Sequence, residues 1–315
     1  MRRQKTMVAQ VKEYVSYRRH LGFQLRIEEG QLLNFARYAD KSGHQGPVTT
    51  ELILRWARLP EKASPLYQAR RVEVVRCFTK YQSIFSPKTE IPPPRILGSA
   101  HRRTEPYIYS QPQISALLKA CADLLPVEGL RPRTYAALLG LIACTGLRIS
   151  EALKLSRDDV DLTDGRILIR ETKFHKSRFV SLHPSATKAL QKYAQFRDQY
   201  HQVSKSKHFF VSETGLPLPY STVNETFQSL RERLGWNAEN IRRPRIQDMR
   251  HTFACRRLLL WYEHGRDVNH AIYSLSTYLG HAKVTDTYWY LTGIPELFAV
   301  VGDKFENYAL KEKEG

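Results

Sequence analysis

The chain has 315 residues, and its 49 Lys and Arg against 31 Asp and Glu give it a formal charge of +18. Apolar residues make up 42% of the chain and aromatic residues 11%, which excludes disorder as a description of the whole molecule. No stretch reaches the roughly 18 apolar residues of a membrane span. The charged N-terminus, MRRQKTMVAQ, lacks the apolar core of a secretion signal. We therefore expect a cytoplasmic protein, and this length predicts two domains.

The cysteines are widely separated, and none forms a CxxC pair: Cys77, Cys121, Cys144 and Cys255. This spacing predicts neither a zinc site nor a disulfide framework, and it fits a compartment that keeps thiols reduced. The sequence signals no metal and no other cofactor.

The surplus of positive charge indicates a polyanionic partner. Nucleic acid is the first candidate, because neutralising phosphates supplies most non-specific affinity; the alternative is a basic protein unrelated to nucleic acids. Residues 1–100 hold a net +10 and the remaining 215 residues a net +8, so the charge is denser in the first third.

A proline-rich segment divides the chain. Pro87 and the run Pro92 to Pro94 cannot continue a helix and favour an extended connector. The chain is therefore predicted to consist of a helical DNA-binding domain, a linker, a second domain and a tail, over residues 1–90, 91–105, 106–300 and 301–315.

Four amphipathic helices are predicted in the first domain: 8–21, 27–39, a third capped by Thr49 or Thr50, and 64–81. The fourth carries four cations that we predict to contact DNA: Arg70, Arg71, Arg76 and Lys80. Taken singly, such charges are more often solvated surface, so this prediction belongs to the domain as a whole.

The sequence pattern predicts a second domain that is mostly helical, with a small β-hairpin. RILIR (166–170) and RFVSLH (178–183) alternate and are rich in β-branched residues, which predicts two strands joined by a hairpin tip over 171–177. Helices are predicted over 114–121, 133–144, 184–199, 221–234, 248–264, 267–279 and 284–292.

Two basic sites stand out around this hairpin. Gly146 interrupts a buried apolar helix, and Arg148 follows it; burying an arginine is costly unless an anion pairs with it. That anion could be Glu151, in which case Arg148 is structural, or a bound phosphate. The hairpin tip holds Lys173, Lys176 and Arg178, whose cationic groups suit a phosphate site or merely form an exposed basic turn.

Two further sites follow near the C-terminus. Arg250 is expected in the first turn of a helix opened by Asp248, where a cation is disfavoured unless an anion, such as a phosphate, is present. Three arginines precede it and are predicted to contact DNA: Arg242, Arg243 and Arg245. His281 follows Gly280 in a loop.

Two tyrosines follow that loop. Tyr288 and Tyr290 lie about 200° apart on a helix, so only one of them can face a given site. With 17 tyrosines in the chain, either could equally be a core or surface residue.

Together these motifs resemble the tyrosine recombinase (phage integrase) family. TGLRISE, a hairpin lysine, MRHTFA, LGH and a tyrosine nine residues later occur in that family's order. The resemblance covers essentially the whole chain and implies an N-terminal helical core-binding domain followed by a catalytic domain. YRRHLGF, LRWARLP and DTYWYLT look more like transposon- or integron-associated members than chromosome-dimer resolvases.

The resemblance implies a catalytic set of Arg148, Lys173, Arg250, His281 and the nucleophile Tyr290. Gln247 departs from the pattern, because the family usually has histidine at this position. Glutamine can donate a hydrogen bond to a phosphate but cannot exchange a proton near neutral pH.

The activity implied is site-specific cleavage and rejoining of DNA through a 3′-phosphotyrosyl intermediate, without metal or ATP, in integration, excision or transposition of a mobile element. The implied partners are double-stranded DNA with a recombination site, a homo-tetramer on two duplexes, and other recombinases of the same element, at the nucleoid. An apolar run, 297–301, could pass to a neighbouring subunit or pack on its own domain. The alternatives are a weakly cleaving accessory homologue, a type IB topoisomerase and a helix-turn-helix regulator.

Overall fold

The computed structural model describes residues 5–100, 106–170, 177–203, 205–237, 242–281 and 283–288. The chain divides into two compact units, Met1–Thr104 and Glu105–Gly315. Several positions singled out above lie outside the described residues: Lys173, Lys176, Tyr290, the hairpin tip over 171–176 and the tail over 301–315.

Over residues 5–100 the first unit contains four helices: α1 (Met7–His20), α2 (Glu28–Lys41), α3 (Thr50–Arg58) and α4 (Pro65–Phe85). They match the predicted segments within a few residues. Thr49 and Ser64 cap α3 and α4, since each side-chain oxygen accepts a backbone N–H three residues on. The core between the helices contains the fully buried Phe35, Trp56 and Phe78.

The segment after α4 is fixed to this first unit as far as residue 100. Arg76 Nε donates to the carbonyl oxygen of Pro92 at 2.8 Å, and Arg70 Nε donates to that of Ala100 at 3.1 Å. The Glu90 carboxylate accepts the backbone N–H of Thr50 at 2.7 Å. Residues 91–100 of the predicted linker are therefore attached to α4 and contain a turn over 94–97, rather than forming a free extended connector.

The second unit is mostly helical and contains a small sheet. Its helices are α5 (Gln111–Ala120), α6 (Leu130–Thr145), α7 (Ile149–Lys154), α8 (Pro184–Tyr200), α9 (Tyr220–Arg233), α10 (Ile246–Glu263), α11 (Val268–Leu279) and α12 (Thr285–Tyr288). In the described part of this unit, three antiparallel strands, β1 (Val160–Asp161), β2 (Arg166–Ile169) and β3 (Arg178–Ser181), lie in the order β1-β2-β3. This confirms the predicted fold class.

Helix α6 forms the centre of this unit. It is buried along most of its length, and α8 and α10 pack against it. The β2–β3 register pairs Ile167 with Val180, and both side chains are fully buried. A second apolar cluster joins α10 to α11. Among the residues described, none of the helices combines the length and apolar character needed to cross a bilayer.

Candidate active site

The end of α6 places Arg148. Gly146 has φ +66°, and an added Cβ there would lie 2.5 Å from Cδ1 of Phe253, so the position requires glycine both for backbone conformation and for space. The chain turns at Gly146, and α7 begins after Arg148. The Glu151 carboxylate accepts the backbone N–H of Arg148 at 3.0 Å and its Nη1 at 2.9 Å. The predicted pair therefore forms, although the Arg148 side chain remains 31% exposed.

Arg250 lies on α10, and only 1% of its surface is exposed. Its Nη1 donates to the carbonyl oxygen of Gly146 at 2.8 Å and also lies 4.0 Å from the Glu151 carboxylate. Helix α10 begins at Ile246, two residues before the predicted start, because Asp248 acts as its third residue and accepts the backbone N–H of Arg245. Arg250 is thus the fifth residue of the helix, beyond the first turn.

The C-terminal end of α11 gathers three arginines. The backbone N–H groups of Gly280 and His281 donate to the carbonyls of Thr277 and Ser276, which is the Schellman ending of a helix. Each of the next three carbonyl oxygens accepts a hydrogen bond from an arginine. Arg178 donates to the carbonyl of Tyr278 at 2.7 Å. Arg250 donates to that of Leu279, and Arg148 donates to that of Gly280 at 3.5 Å. Cations are favoured here, because a helix C-terminus carries partial negative charge.

Glu151 is the anion at the centre of these arginines. Both nitrogens at the end of Arg178 donate to its carboxylate, at 3.2 and 2.9 Å, and 9% of the Glu151 side chain is exposed. Burial alone would raise its pKa, but hydrogen bonds and charge from Arg178 and Arg148 outweigh burial and leave the pKa lowered. Three guanidiniums against one carboxylate leave an excess of two positive charges, which suits a phosphate.

Two histidines border the arginines. His281 shares a hydrogen bond of 2.7 Å with the hydroxyl of Thr287, and burial, followed by the nearby Arg250 and Arg148, lowers its pKa to about 4. Burial, opposed by Asp248 and assisted by Arg245 and Arg250, likewise lowers the pKa of His251 to about 4. Both imidazoles are neutral at pH 7, so each can donate one hydrogen bond and accept another.

Two of the arginines that were predicted to contact DNA are buried and bonded within the protein. The Arg178 guanidinium donates hydrogen bonds to the Glu151 carboxylate and to the carbonyl of Tyr278, and 11% of its side chain is exposed. Arg71 is 6% exposed; it donates to the carbonyl of Trp56 at 2.8 Å, and its guanidinium lies 3.7 Å from the centre of the Trp56 ring. Both side chains are parts of the packing rather than of a DNA-facing surface.

The other predicted contacts differ in exposure. Lys80 and Arg243 are exposed, and Arg242 is half-buried. Arg245 is half-exposed and forms an ion pair of 2.7 Å with the fully buried Asp248. Gln247 is exposed in the first turn of α10, one turn before Arg250. Arg70 and Arg76 bind carbonyls of the segment after α4, as described above, so their Nε groups serve packing.

The geometry therefore brings together Arg148, Arg250 and His281 among the predicted catalytic residues. The sequence did not indicate the central position of Glu151, nor Arg178 as a partner of the α11 end. A signal existed for Glu151, which lies three residues after Arg148. None existed for Arg178, whose carbonyl partner is 100 residues away.

Comparison with known proteins identifies the family. The model of the phage integrase family matches residues 109–293. The chain is 41% identical over 295 residues to y4rB of Sinorhizobium fredii, whose name assigns it to integrases or recombinases; the match covers 91% of this chain and 93% of that protein.

Two solved structures share the fold. The Tn1549 transposon integrase in complex with transposon right end DNA is 15% identical, covering 97% of this chain and 100% of that chain with a TM-score of 0.67. A lambda integrase tetramer bound to a Holliday junction is also 15% identical, covering 90% and 79% of the two chains with a TM-score of 0.60. With the family match over most of the second unit, these findings show that the chain belongs to the phage integrase family and is a tyrosine-type site-specific recombinase.

Proposed function

We propose that the protein cleaves and rejoins DNA through a covalent 3′-phosphotyrosyl intermediate formed by Tyr290. The observation that carries this proposal is the meeting of Arg148 and Arg250, with His281 beside them, at the end of α11. Two guanidiniums with a surplus of positive charge match the charge and the forked geometry of a phosphodiester.

The reaction is a pair of transesterifications. The Tyr290 oxygen attacks the phosphorus and gives its proton to solvent water, and the bond from phosphorus to the 5′ oxygen breaks. Lys173 protonates that oxygen, which leaves as a 5′-hydroxyl. A 5′-hydroxyl of a partner strand then attacks the same phosphorus and returns a proton to Lys173, while the bond from phosphorus to the Tyr290 oxygen breaks and Tyr290 regains a proton from water. One phosphodiester is exchanged for another through a covalent intermediate, so no ATP is consumed.

The arginines stabilise charge as it develops. In the five-coordinate transition state the non-bridging oxygens carry added negative charge, and Arg148 and Arg250 are held by protein groups before DNA binds. Such preorganised donors act without reorganisation, and removing one typically costs about 10²–10³ in rate. We expect the cleavage rate to fall by this factor in Arg148→Ala and in Arg250→Ala. The cleavage rate of Lys173→Ala should be restored by a substrate whose leaving group needs no proton.

We further propose that the protein acts on the ends of a mobile element and assembles as a tetramer on two duplexes. The resemblance to transposon-associated members and the folds of the Tn1549 and lambda integrases support this assignment.

A cleft of about 510 Å³ between α5, α6, α8 and α10 is lined by apolar groups such as Leu118, Ala137 and Leu260. We propose that it receives the apolar run 297–301 of a neighbouring copy.

This assembly can be tested separately from chemistry. Phe298→Asp should leave binding of one copy to a half-site unchanged and should abolish the higher complexes seen by native electrophoresis and mass photometry. If the variant instead fails to fold, the run packs on its own domain.

The chemistry is tested by trapping the covalent adduct. Duplexes from the ends of the protein's own element, nicked beside the cleavage point, should give a protein–DNA adduct that survives denaturation. Tyr290→Phe should abolish the adduct, whereas Tyr288→Phe should retain it, because the proposal assigns the attack to the Tyr290 oxygen alone.

The same experiment separates the alternatives. Site-specific binding without an adduct would identify an accessory homologue. Relaxation of a supercoiled plasmid that lacks the site would identify a topoisomerase.

A further inference from the structure

Arg178 stands apart from the other arginines because it has no place in the proposed chemistry. It is the first residue of β3, directly after the hairpin that carries Lys173 in the sequence. Its three nitrogens are nevertheless all engaged: Nη1 and Nη2 on the two oxygens of Glu151, and Nε on the carbonyl of Tyr278. One side chain thus joins the sheet to α7 and to the end of α11.

These two partners are the supports of the catalytic side chains. Glu151 holds Arg148 through its backbone and its guanidinium. The α11 end accepts Arg250 at Leu279 and leads through Gly280 to His281. A displacement of Glu151 would therefore move Arg148, and a displacement of the α11 end would move Arg250 and His281. Arg178 reaches these three side chains only through the two supports.

Arg178 also sets the local charge. With it, three guanidiniums face one carboxylate, and the excess is two positive charges. Without it, Arg148 and Arg250 alone would face Glu151, and the excess would fall to one. A buried carboxylate that has lost one partner draws the remaining cations more strongly, since charges interact more strongly at low dielectric. The two catalytic arginines would then be aimed at Glu151 rather than at the phosphate.

Resting on the proposed function, we infer that Arg178 is a positioning residue: it saturates Glu151 and anchors the α11 end so that Arg148, Arg250 and His281 face the scissile phosphate. It acts through these neighbours and not through contact with DNA. Arg178 should therefore govern the rate of cleavage while leaving DNA affinity unchanged.

The test compares Arg178→Ala and Arg178→Lys with a matched control, Arg166→Ala. Arg166 lies on the neighbouring strand β2, is half-exposed, and pairs with Asp161 and Asp164 away from the arginines. The control removes the same charge from the same sheet. All variants are compared as full-length chains at equal folded fraction, measured by circular dichroism.

Two measurements are made on the nicked duplex: the dissociation constant, and the single-turnover rate of adduct formation. Each rate is repeated on a duplex whose scissile phosphate carries a methyl group in place of one non-bridging oxygen. That substrate has lost the negative charge that the arginines neutralise, so a defect in their placement should matter less.

For Arg178→Ala we expect a fall in rate of about 10- to 100-fold, by analogy with the residues that orient metal ligands, with unchanged affinity. The fall should shrink clearly on the methylated substrate. Arg178→Lys should recover part of the rate, because it restores the charge but not the paired hydrogen bonds. Arg166→Ala should match the wild type.

The outcomes that contradict the inference are distinct. Weaker DNA binding with a smaller salt dependence would make Arg178 a DNA contact. An equal fall on both substrates, unrelieved by lysine, would reduce it to a structural residue. If the wild type forms the adduct and both Arg178 variants cleave at the wild-type rate, the inference is wrong and the proposed function stands. If the wild type forms no adduct, both the proposed function and the inference are wrong.

Discussion

Gly280 leaves no room for a side chain beside Arg178: an added Cβ would lie 2.7 Å from Nη1 of the guanidinium. Gly280 also has φ +66°, a conformation that side chains disfavour. The glycine of the LGH motif therefore ends α11 and also allows Arg178 to approach the Tyr278 carbonyl and Glu151. The motif thus ends the helix and provides two of the carbonyl oxygens that bind the arginines.

We predict that Gly280→Ala reduces cleavage far more than it reduces stability. The left-handed conformation should cost about 1–2 kcal/mol in the free energy of unfolding, and the new methyl group should displace Arg178. Gly265→Ala is the matched control, because Gly265 has φ +68° with nothing within 4 Å of its added Cβ. Urea unfolding and adduct assays should show equal destabilisation but a rate loss in Gly280→Ala alone. Equal rates in the two variants would contradict the role of the contact.

Gln247→His should raise the rate of adduct formation. Gln247 is exposed in the first turn of α10, and a histidine there could exchange a proton during attack by Tyr290. General acid–base catalysis contributes about 10²–10⁴-fold in favourable cases; in a site not built around this histidine we expect the low end. The comparison uses a nicked substrate under single-turnover conditions, with Gln247→Asn as control. An unchanged or lower rate for the histidine variant would show that the position does not handle a proton.

Stability should fall with acid before the carboxylates titrate. His251 and His281 have pKa values of about 4 in the folded protein, against roughly 6.5 when unfolded. Between these values the unfolded chain binds more protons, so the free energy of unfolding rises with pH and is lost as pH falls from about 6.5 toward 4.

Urea unfolding of the wild type at about pH 7 and about pH 5 should show an average uptake of between one and two protons on unfolding, rising toward two at the acid end of the interval. The His281→Gln variant should show a smaller dependence on pH over the same interval. A wild-type free energy of unfolding that stays constant over this window would contradict the burial of neutral imidazoles beside the arginines.

Substitutions of Arg71 and Lys80 should have opposite effects on the stability of the first unit and on DNA binding. Arg71→Ala loses a hydrogen bond and the ring contact with Trp56, and should destabilise that unit by about 1–3 kcal/mol without changing the affinity of the folded protein for DNA. Lys80→Ala should leave stability unchanged and weaken DNA binding, reducing the salt slope of log K by about 0.9 if it neutralises one phosphate. Binding titrations over a salt series check both; the reverse pattern would restore Arg71 as a DNA contact.

Much of this architecture could be predicted from local patterns. Ser64 before Pro65 marks the start of α4, and the alternation in RILIR marks β2, since caps and periodicity depend on near neighbours. Helix α7 has six residues and β1 two, which are too short to show a period. The sequence predicts that α10 begins at Asp248, two residues late, because an acidic residue is favourable at both the cap and the third position and the sequence does not distinguish them.

The site was predictable as a set of residues but not as a network. The motifs contain Arg148, Arg250 and His281, which do come together. Arg71 and Arg178 look like surface cations in the sequence, because nothing in it indicates that Trp56 or the end of α11 lies beside them. A backbone carbonyl leaves no mark on the sequence, so contacts between side chains and helix ends become visible only in the fold.

The most direct measurement of the central claim is the mass of the linked peptide. The trapped adduct is digested with nuclease and protease, and the nucleotide-bearing peptide is sequenced by mass spectrometry. The account predicts a single peptide carrying a 3′-linked nucleotide phosphate on Tyr290, with a free 5′-hydroxyl on the released strand. A nucleotide on any other residue, or a 5′ linkage, would contradict it.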